Sequence, residues 1–359
     1  MEKDTIFPER TVQAVLRMYG FDGAFCEPKE YISFVADDDE KLVKLIFSVW
    51  LAEEKRVVVK ILHEEGDLLA DREEIERQSA FSECMRQNGI RTPRRYRENG
   101  RYCNEIICHD LPCNVTVEDW CGEEITEINA EIAYRIGELM AEMHLLSLAN
   151  HCEIGCGTLF SAAYENDVDA FDEFCQICEN EHLDQTVVTE IKELRSQKLE
   201  MLRAVWDRLP KTAVQGDISI NNLVYGEDQL TVFDYNNAGD EVLISDLVME
   251  GLLTAYEMEL PAGTDPQVRE TFFPALLKGY LSRRSLCTEE ADAAWIAYTL
   301  YHALWFTRIV YHEDSLEKLV ARNDYEAANR LLANMLKDMT ETDDGRFRTR
   351  EEGYENYTV

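Results

Sequence analysis

Gln215-Gly216-Asp217-Ile218-Ser219-Ile220-Asn221-Asn222 runs straight into Leu223-Val224-Tyr225, a Gly226-Glu227-Asp228 turn, and Leu230-Thr231-Val232-Phe233-Asp234. Two short apolar runs separated by turn residues spell a β-hairpin. Antiparallel strands set their outer ends side by side, so the spacing places Asn222 next to Asp234. Oxygen ligands converging from two strand ends suit magnesium, which takes few protein groups and completes its shell with phosphate and water. Asp217, on the loop before the hairpin, is then a third acid, free to accept a proton from a hydroxyl. Asn and Asp are common at hairpin ends for conformational reasons alone. The order Asp, four residues, Asn, hairpin, Asp is the informative part.

Working outward, the N-terminal stretch predicts a helix over 7–19, opened by Pro8 and stopped by Gly20. Short β-rich runs follow at 31–35, 42–49 and 56–62, the first two joined by an acidic turn, Asp37-Asp38-Asp39-Glu40. Lys60 sits alone inside the apolar run Val57-Val58-Val59-Lys60-Ile61-Leu62. A helix is expected over 72–88 with Gly89 at its C′ position, then strands at 105–108 and 113–117. After Trp120-Cys121-Gly122 the pattern changes to amphipathic helices, expected at 128–148, 167–178, 186–208, 244–259, 265–281, 289–311 and 325–339. The hairpin is the one plainly β stretch in this half. The expected organisation is an N-terminal lobe over 1–118, a helical lobe over 119–340 and a flexible tail over 341–359, an α+β fold in two lobes.

Composition bounds the function. With 359 residues, 45% hydrophobic and 30% charged, the chain can build real cores. Its 71 acids against 36 Lys and Arg leave a net charge of −35, which argues against nucleic-acid partners and anionic membranes. No run of apolar residues is long enough to span a bilayer. Eleven cysteines without a secretory pattern lead us to expect a cytoplasmic protein. Cys152 with Cys156 and Cys175 with Cys178 have the spacing of metal ligands, but cysteines on a helical pattern are more often small buried hydrophobes than zinc ligands.

The Asp217, Asn222 and Asp234 pattern, with Lys60 upstream, is the grammar of phosphoryl transfer, which needs positioning and charge neutralisation more than covalent chemistry. The sequence resembles the aminoglycoside phosphotransferase and choline kinase family of small-molecule kinases, which share a bilobed protein-kinase-like fold. The resemblance spans about residues 7–339. Gln215-Gly216-Asp217 with Asn222 is similar to the family's His-Gly-Asp loop and its asparagine, and Val232-Phe233-Asp234-Tyr235 to its metal-aspartate strand end. Ser245-Asp246-Leu247 and Met143-His144-Leu145 match two further family segments, and 117–122 the hinge. The resemblance implies Asp217 as base, Asn222 and Asp234 as Mg2+ ligands, and Lys60 as the phosphate anchor. It also implies ATP or GTP as phosphate donor, a small hydroxylated acceptor, and a hinge from Glu118 to Trp120 whose backbone serves the nucleotide base, with Trp120 either stacking on the base or, as the preferred reading, closing the lobe interface.

Three positions depart from the family. Gln215 stands where it has histidine, and can still hold the loop through hydrogen bonds. The helix glutamate that should pair with Lys60 falls at Gln78, so either Glu74, one turn earlier on the same face, substitutes, or Lys60 without nucleotide has no carboxylate partner from this helix. The first hairpin carries three aspartates in place of a Gly-rich phosphate loop. An acceptor is expected in the helical lobe among Asp240, Glu241 and Glu257, a setting suited to an amine-bearing molecule. The competing reading is a degenerate kinase fold that binds nucleotide or a partner without transferring phosphate. Phosphorylation of protein side chains is disfavoured because the stretch between Asp234 and Asp246 is too short for an activation loop. The sequence is silent on oligomeric state.

Overall fold

Side chains alternate across a strand, so Val57, Val59 and Ile61 must face one way and Val58, Lys60 and Leu62 the other. In the computed structural model this run is the middle strand of a five-stranded antiparallel sheet. The structure describes residues 9–21, 29–36, 41–51, 55–63, 71–108, 111–125, 128–164, 169–256 and 268–348. The chain opens with α1 (Glu9–Met18), β1 (Lys29–Ala36), β2 (Lys41–Trp50), β3 (Arg56–His63), α2 (Arg72–Gln87), β4 (Asn104–Cys108) and β5 (Leu111–Asp119). The sheet order is β1-β2-β3-β5-β4. Pro8 and the acidic turn at 37–40 lie outside the described residues.

One face of this sheet is apolar. Val57, Val59 and Ile61 join Leu45, Phe47, Val115 and Val117 beneath Val12, Val15, Leu16 and Tyr19. The Tyr19 hydroxyl donates to the Val115 carbonyl at 2.7 Å, which pins the end of α1 to β5. The opposite face is closed to solvent but buries polar side chains, Lys60, Asn114, Thr116 and Glu118, beside Val58 and Leu62. Buried charged side chains on one face of a sheet require partners, and those of Lys60 and Glu118 are described below.

The chain continues through α3 (Ala130–Ala149), α4 (Phe171–Ile177), α5 (Gln185–Trp206), β6 (Lys211–Val214), β7 (Leu223–Gly226), β8 (Gln229–Val232) and β9 (Gly239–Val242). It ends with α6 (Leu243–Tyr256), α7 (Val268–Arg283), α8 (Thr288–Ala303), α9 (Phe306–Ile309), α10 (Leu316–Ala321) and α11 (Tyr325–Met339). Two compact units result: Met1–Glu124 with Asn222–Asn236, and Ile125–Asn221 with Asn237–Val359. The β7–β8 hairpin therefore groups with the N-terminal sheet rather than with the helical half where the sequence order places it. The reason is local. The Val232 amide donates to the Arg91 carbonyl at 3.0 Å, and Val224 packs so closely on Gly122 that an added Cβ would lie 2.7 Å from it.

Three other expectations are corrected. The single helix expected over 289–311 breaks after Ala303; Trp305 is extended and buried, and Arg308 donates to the His302 carbonyl, satisfying the helix end. The pair β6–β9 is a second small ladder that local sequence signals do not announce. Residues 341–348, expected to be part of a flexible tail, pack on the helical unit: Phe347 is 1% exposed among Phe273, Trp295 and Tyr298. Residues 349–359 lie outside the described residues. Within the helical unit α3 and α7 approach backbone to backbone. A Cβ at Gly137 would sit 1.9 Å from the Leu276 carbonyl oxygen, and one at Gly279 1.9 Å from that of Tyr134.

Candidate functional site

In the N-terminal unit, Lys60 is 3% exposed and its Nζ lies 3.2 Å from Glu118 Oε1 and 3.1 Å from Asp234 Oδ1. Burial alone would push the ammonium down, but the Asp234 and Glu118 carboxylates outweigh it and hold the amine above its usual pKa. Thr116 faces Lys60 across the β3–β5 ladder, so Glu118 is the diagonal neighbour two residues along the same face. Its other oxygen accepts from Arg95 Nε at 2.9 Å. Arg95 in turn donates to Ser79 Oγ at 2.7 Å and to Asn236 Oδ1 at 3.4 Å. The lysine's carboxylate partner is therefore on β5, not on α2. Glu74 accepts instead from Gln78, and fully buried Gln78 donates to the Asn236 carbonyl at 2.7 Å.

The hairpin ends meet as their register requires. The Phe233 amide donates to the Asn222 carbonyl at 3.0 Å, one step beyond the Leu223–Val232 pair. Asp234 has φ +53°, a left-handed conformation that few non-glycine residues adopt and that turns its carboxylate toward Lys60. An amide and a carboxylate on adjoining strand ends are hard oxygen donors, and they fit a magnesium ion whose remaining ligands are phosphate and water.

In the helical unit, Asp217 stands on the loop after β6. Its Oδ1 accepts from Ser219 Oγ at 2.9 Å and its Oδ2 from Asn237 Nδ2 at 3.0 Å. Gln215 does what its amide allows in place of an imidazole: its Oε1 accepts from the Asp217 amide at 2.8 Å. The next amide, of Ile218, donates to Glu250 Oε2 on α6 at 2.9 Å. Gly216 has φ +73°, and a Cβ there would come within 2.4 Å of the Asn237 carbonyl oxygen, so the turn before Asp217 requires glycine. Two family-matched residues meet nearby on α3 and α6: His144 Nε2 lies 2.8 Å from Asp246 Oδ2, and its Nδ1 2.8 Å from the Tyr280 hydroxyl.

Other expectations change role. The Glu118 side chain pairs with Lys60 and Arg95. The Asp119 and Trp120 amides donate to the Arg94 and Arg56 carbonyls. Trp120 carries the Arg56 guanidinium 3.7 Å over its ring. Asp240 is occupied in holding the 154–155 turn, accepting from the Ile154 and Gly155 amides at 2.8 and 2.7 Å. Glu241 is buried, and burial pushes its carboxyl up to about 7. Glu257 lies outside the described residues. Cys178 is buried, as its helical pattern suggests, and among the described residues no group of three or more His, Cys, Asp or Glu could hold a metal ion. The helical unit also holds a cavity of about 560 Å³ around Tyr256, Tyr298, His302, Arg308, Asp338 and Arg346. His302 there stacks on Tyr298, meets the Tyr256 hydroxyl at 3.0 Å, and is pushed down to about 4 by burial.

Glu118, Arg95 and Asn237 carry much of this geometry and were not legible as such. Glu118 had a signal: Asn114, Thr116 and Glu118 recur every second residue in a β-run, on the face that also receives Lys60. Asn237 had none.

No family model matches the sequence, and no curated protein matches it significantly. Solved structures share its fold. An amicoumacin kinase in complex with AMP-PNP and Ca2+ aligns over 96% of this chain and 98% of its own, at TM-score 0.54 and 15% identity. A microcompartment-associated aminopropanol kinase aligns over 92% and 98%, at 0.53 and 15%. An aminoglycoside phosphotransferase from Alicyclobacillus acidocaldarius aligns over 93% and 96%, at 0.52 and 12%. The chain has the α+β, protein-kinase-like fold of these proteins. No helix among its described residues is long and apolar enough to cross a membrane.

Proposed function

We propose that this chain moves the γ-phosphoryl group of ATP to a hydroxyl of a small molecule, with GTP as the alternative donor. The observation that carries the reading is the buried ion pair of Lys60 with Asp234, two residues from distant parts of the chain, at the open end of the hairpin that also bears Asn222. In this reading Asp217 takes the acceptor's proton as the new oxygen–phosphorus bond forms and the bond to the departing diphosphate breaks. Ser219 and Asn237 aim its two oxygens, and Gln215 holds its backbone. Lys60 anchors phosphate oxygens, with Glu118 supplying the countercharge expected from α2. Asn222 and Asp234 would hold Mg2+, which when bound neutralises phosphate charge. The fold shared with an aminopropanol kinase and an aminoglycoside phosphotransferase supports amino alcohols, aminoglycosides and sugars as the first acceptors to try.

The test is Mg·ATP-dependent transfer to such a panel, with nucleotide binding read in parallel by calorimetry. Transfer to at least one acceptor supports the proposal. Tight nucleotide binding with no transfer to any acceptor supports the degenerate, binding-only reading instead.

A further inference from the structure

Residues 86–101 hold six arginines, Arg86, Arg91, Arg94, Arg95, Arg97 and Arg101, against one acid, Glu98, in a chain of net charge −35. Arg95 is buried on Glu118, but the other five are exposed. Three of the five, Arg86, Arg91 and Arg94, line one cavity of about 530 Å³ in the N-terminal unit. Thr92, Thr231 and Val224 also line it, as do two carboxylates, Asp119 and Glu227, so three guanidiniums stand against two acids; Lys60, Asn222 and Asp234 take no part in it. Cys121 is also in the wall, and burial pushes its thiol up to about 12, away from the thiolate form.

The three guanidiniums differ in what they already hold. Arg86 forks onto Glu83 with two bonds of 2.7 Å, and Arg91 reaches Glu227 at 2.8 Å. Both are exposed pairs, which contribute little and exchange readily. Arg94 forms no ion pair among the described residues, and its guanidinium lies 5.1 Å over the Tyr96 ring. A −35 chain repels anions almost everywhere, so a small-molecule-sized hollow lined by three arginines against two carboxylates, with a net positive wall, is a local exception. Guanidinium forks match the geometry of a phosphate dianion.

We propose that this cavity is an anion site for a phosphate-bearing small molecule, separate from the residues assigned to the nucleotide and independent of whether the chain transfers phosphate. The site touches the machinery through the backbone. The Arg91 carbonyl holds the Val232 amide two residues before Asp234, and the Arg94 carbonyl holds the Asp119 amide beside Glu118. Occupancy is thus placed to stiffen both strands that carry Lys60's partners.

The test is calorimetric titration of the full chain, without nucleotide, with inorganic phosphate and with glycerol 3-phosphate at constant ionic strength. Saturable binding of one or both is expected. A tighter ester assigns the site to an organic phosphate, and tighter inorganic phosphate assigns it to the free ion. Arg94→Ala and Arg91→Ala should each weaken binding by ~10-fold or more, the loss of a charge-assisted hydrogen bond. Arg101→Ala removes an equal charge from the same segment outside the cavity, where Arg101 pairs with Glu73, and should leave binding unchanged. All three positions are exposed, so folding is not at issue. Absence of saturable binding, retention of binding in Arg94→Ala, or an equal loss in Arg101→Ala overturns the proposal.

Discussion

Lys60 is buried with two carboxylates and an arginine within one network, and each member has a separable consequence. Glu118→Gln leaves Lys60 and Arg95 sharing fewer negative charges in a closed site, so it should cost ~3 kcal/mol of stability. Glu74→Gln, at the position where the helix partner was expected, should stay within ~0.5 kcal/mol, because the Glu74 carboxylate holds only an amide. Urea unfolding of the two variants checks this, and equal losses would return the partner role to α2. Two buried titrating groups in the helical unit oppose one another. Glu241 has a folded pKa of about 7 against an ordinary 4.5, so its contribution is fully present below pH 4.5 and lost as pH rises through 7. His302 has a folded pKa of about 4 against 6.5, so its contribution is fully present above pH 6.5 and lost as pH falls through 4. Each amounts to ~3 kcal/mol, with opposite slopes that offset between pH 4.5 and 6.5. Relative to wild type, Glu241→Gln should therefore gain stability as pH rises from 4.5 to 7; unfolding profiles that run parallel would contradict the burial argument.

At the scale of elements, legibility follows locality. The β7–β8 hairpin can be read in the sequence because its turn residues and apolar runs are adjacent, and the structure gives Leu223–Gly226 and Gln229–Val232. Strands β1 to β5 and helix α2 are legible for the same reason, since period-two and helical spacing survive in short windows. The β6–β9 ladder is not, because four-residue strands separated by the whole hairpin carry no local turn signal. The break between α8 and α9 is equally hidden: helical spacing continues through Trp305 and Phe306, while the break is set by packing and by Arg308 on the His302 carbonyl. Asp217, Asn222, Asp234 and Lys60 stand out in the sequence as candidates by their order and by the resemblance. The side chains that aim them do not, apart from Gln215, because Ser79, Arg95, Asn236 and Asn237 gain their meaning only from contacts made in the fold. The closest helix pair gives a direct check on packing. Gly137→Ala or Gly279→Ala drives a methyl into a facing carbonyl and should cost ~3 kcal/mol, whereas Gly157→Ala, with open space at its Cβ, should be nearly neutral. Thermal denaturation of the three separates them, and a tolerated Gly137→Ala would contradict the close α3–α7 approach.

For the molecule as a whole, −35 net charges disfavour anionic ligands except where cations are fixed, and the fold fixes them at Lys60 with Arg95 and at the arginine cavity. The acids given roles in the proposed transfer fall in different units: Asp217 belongs to the helical one, while Asp234 belongs with the N-terminal sheet. Their roles in the proposed reaction differ, and so should the effects of removing them. The most direct measurement is therefore paired: turnover with the best acceptor, and Mg·ATP affinity by calorimetry, for wild type, Asp217→Asn and Asp234→Asn. Asp217→Asn should lower kcat by ~10²–10⁴-fold with nucleotide affinity unchanged, the signature of a lost base. Asp234→Asn should lower turnover and also weaken Mg·ATP binding, since the proposed metal ligand is removed. An Asp217→Asn enzyme that transfers phosphate at the wild-type rate, under conditions where chemistry limits turnover, would contradict the account.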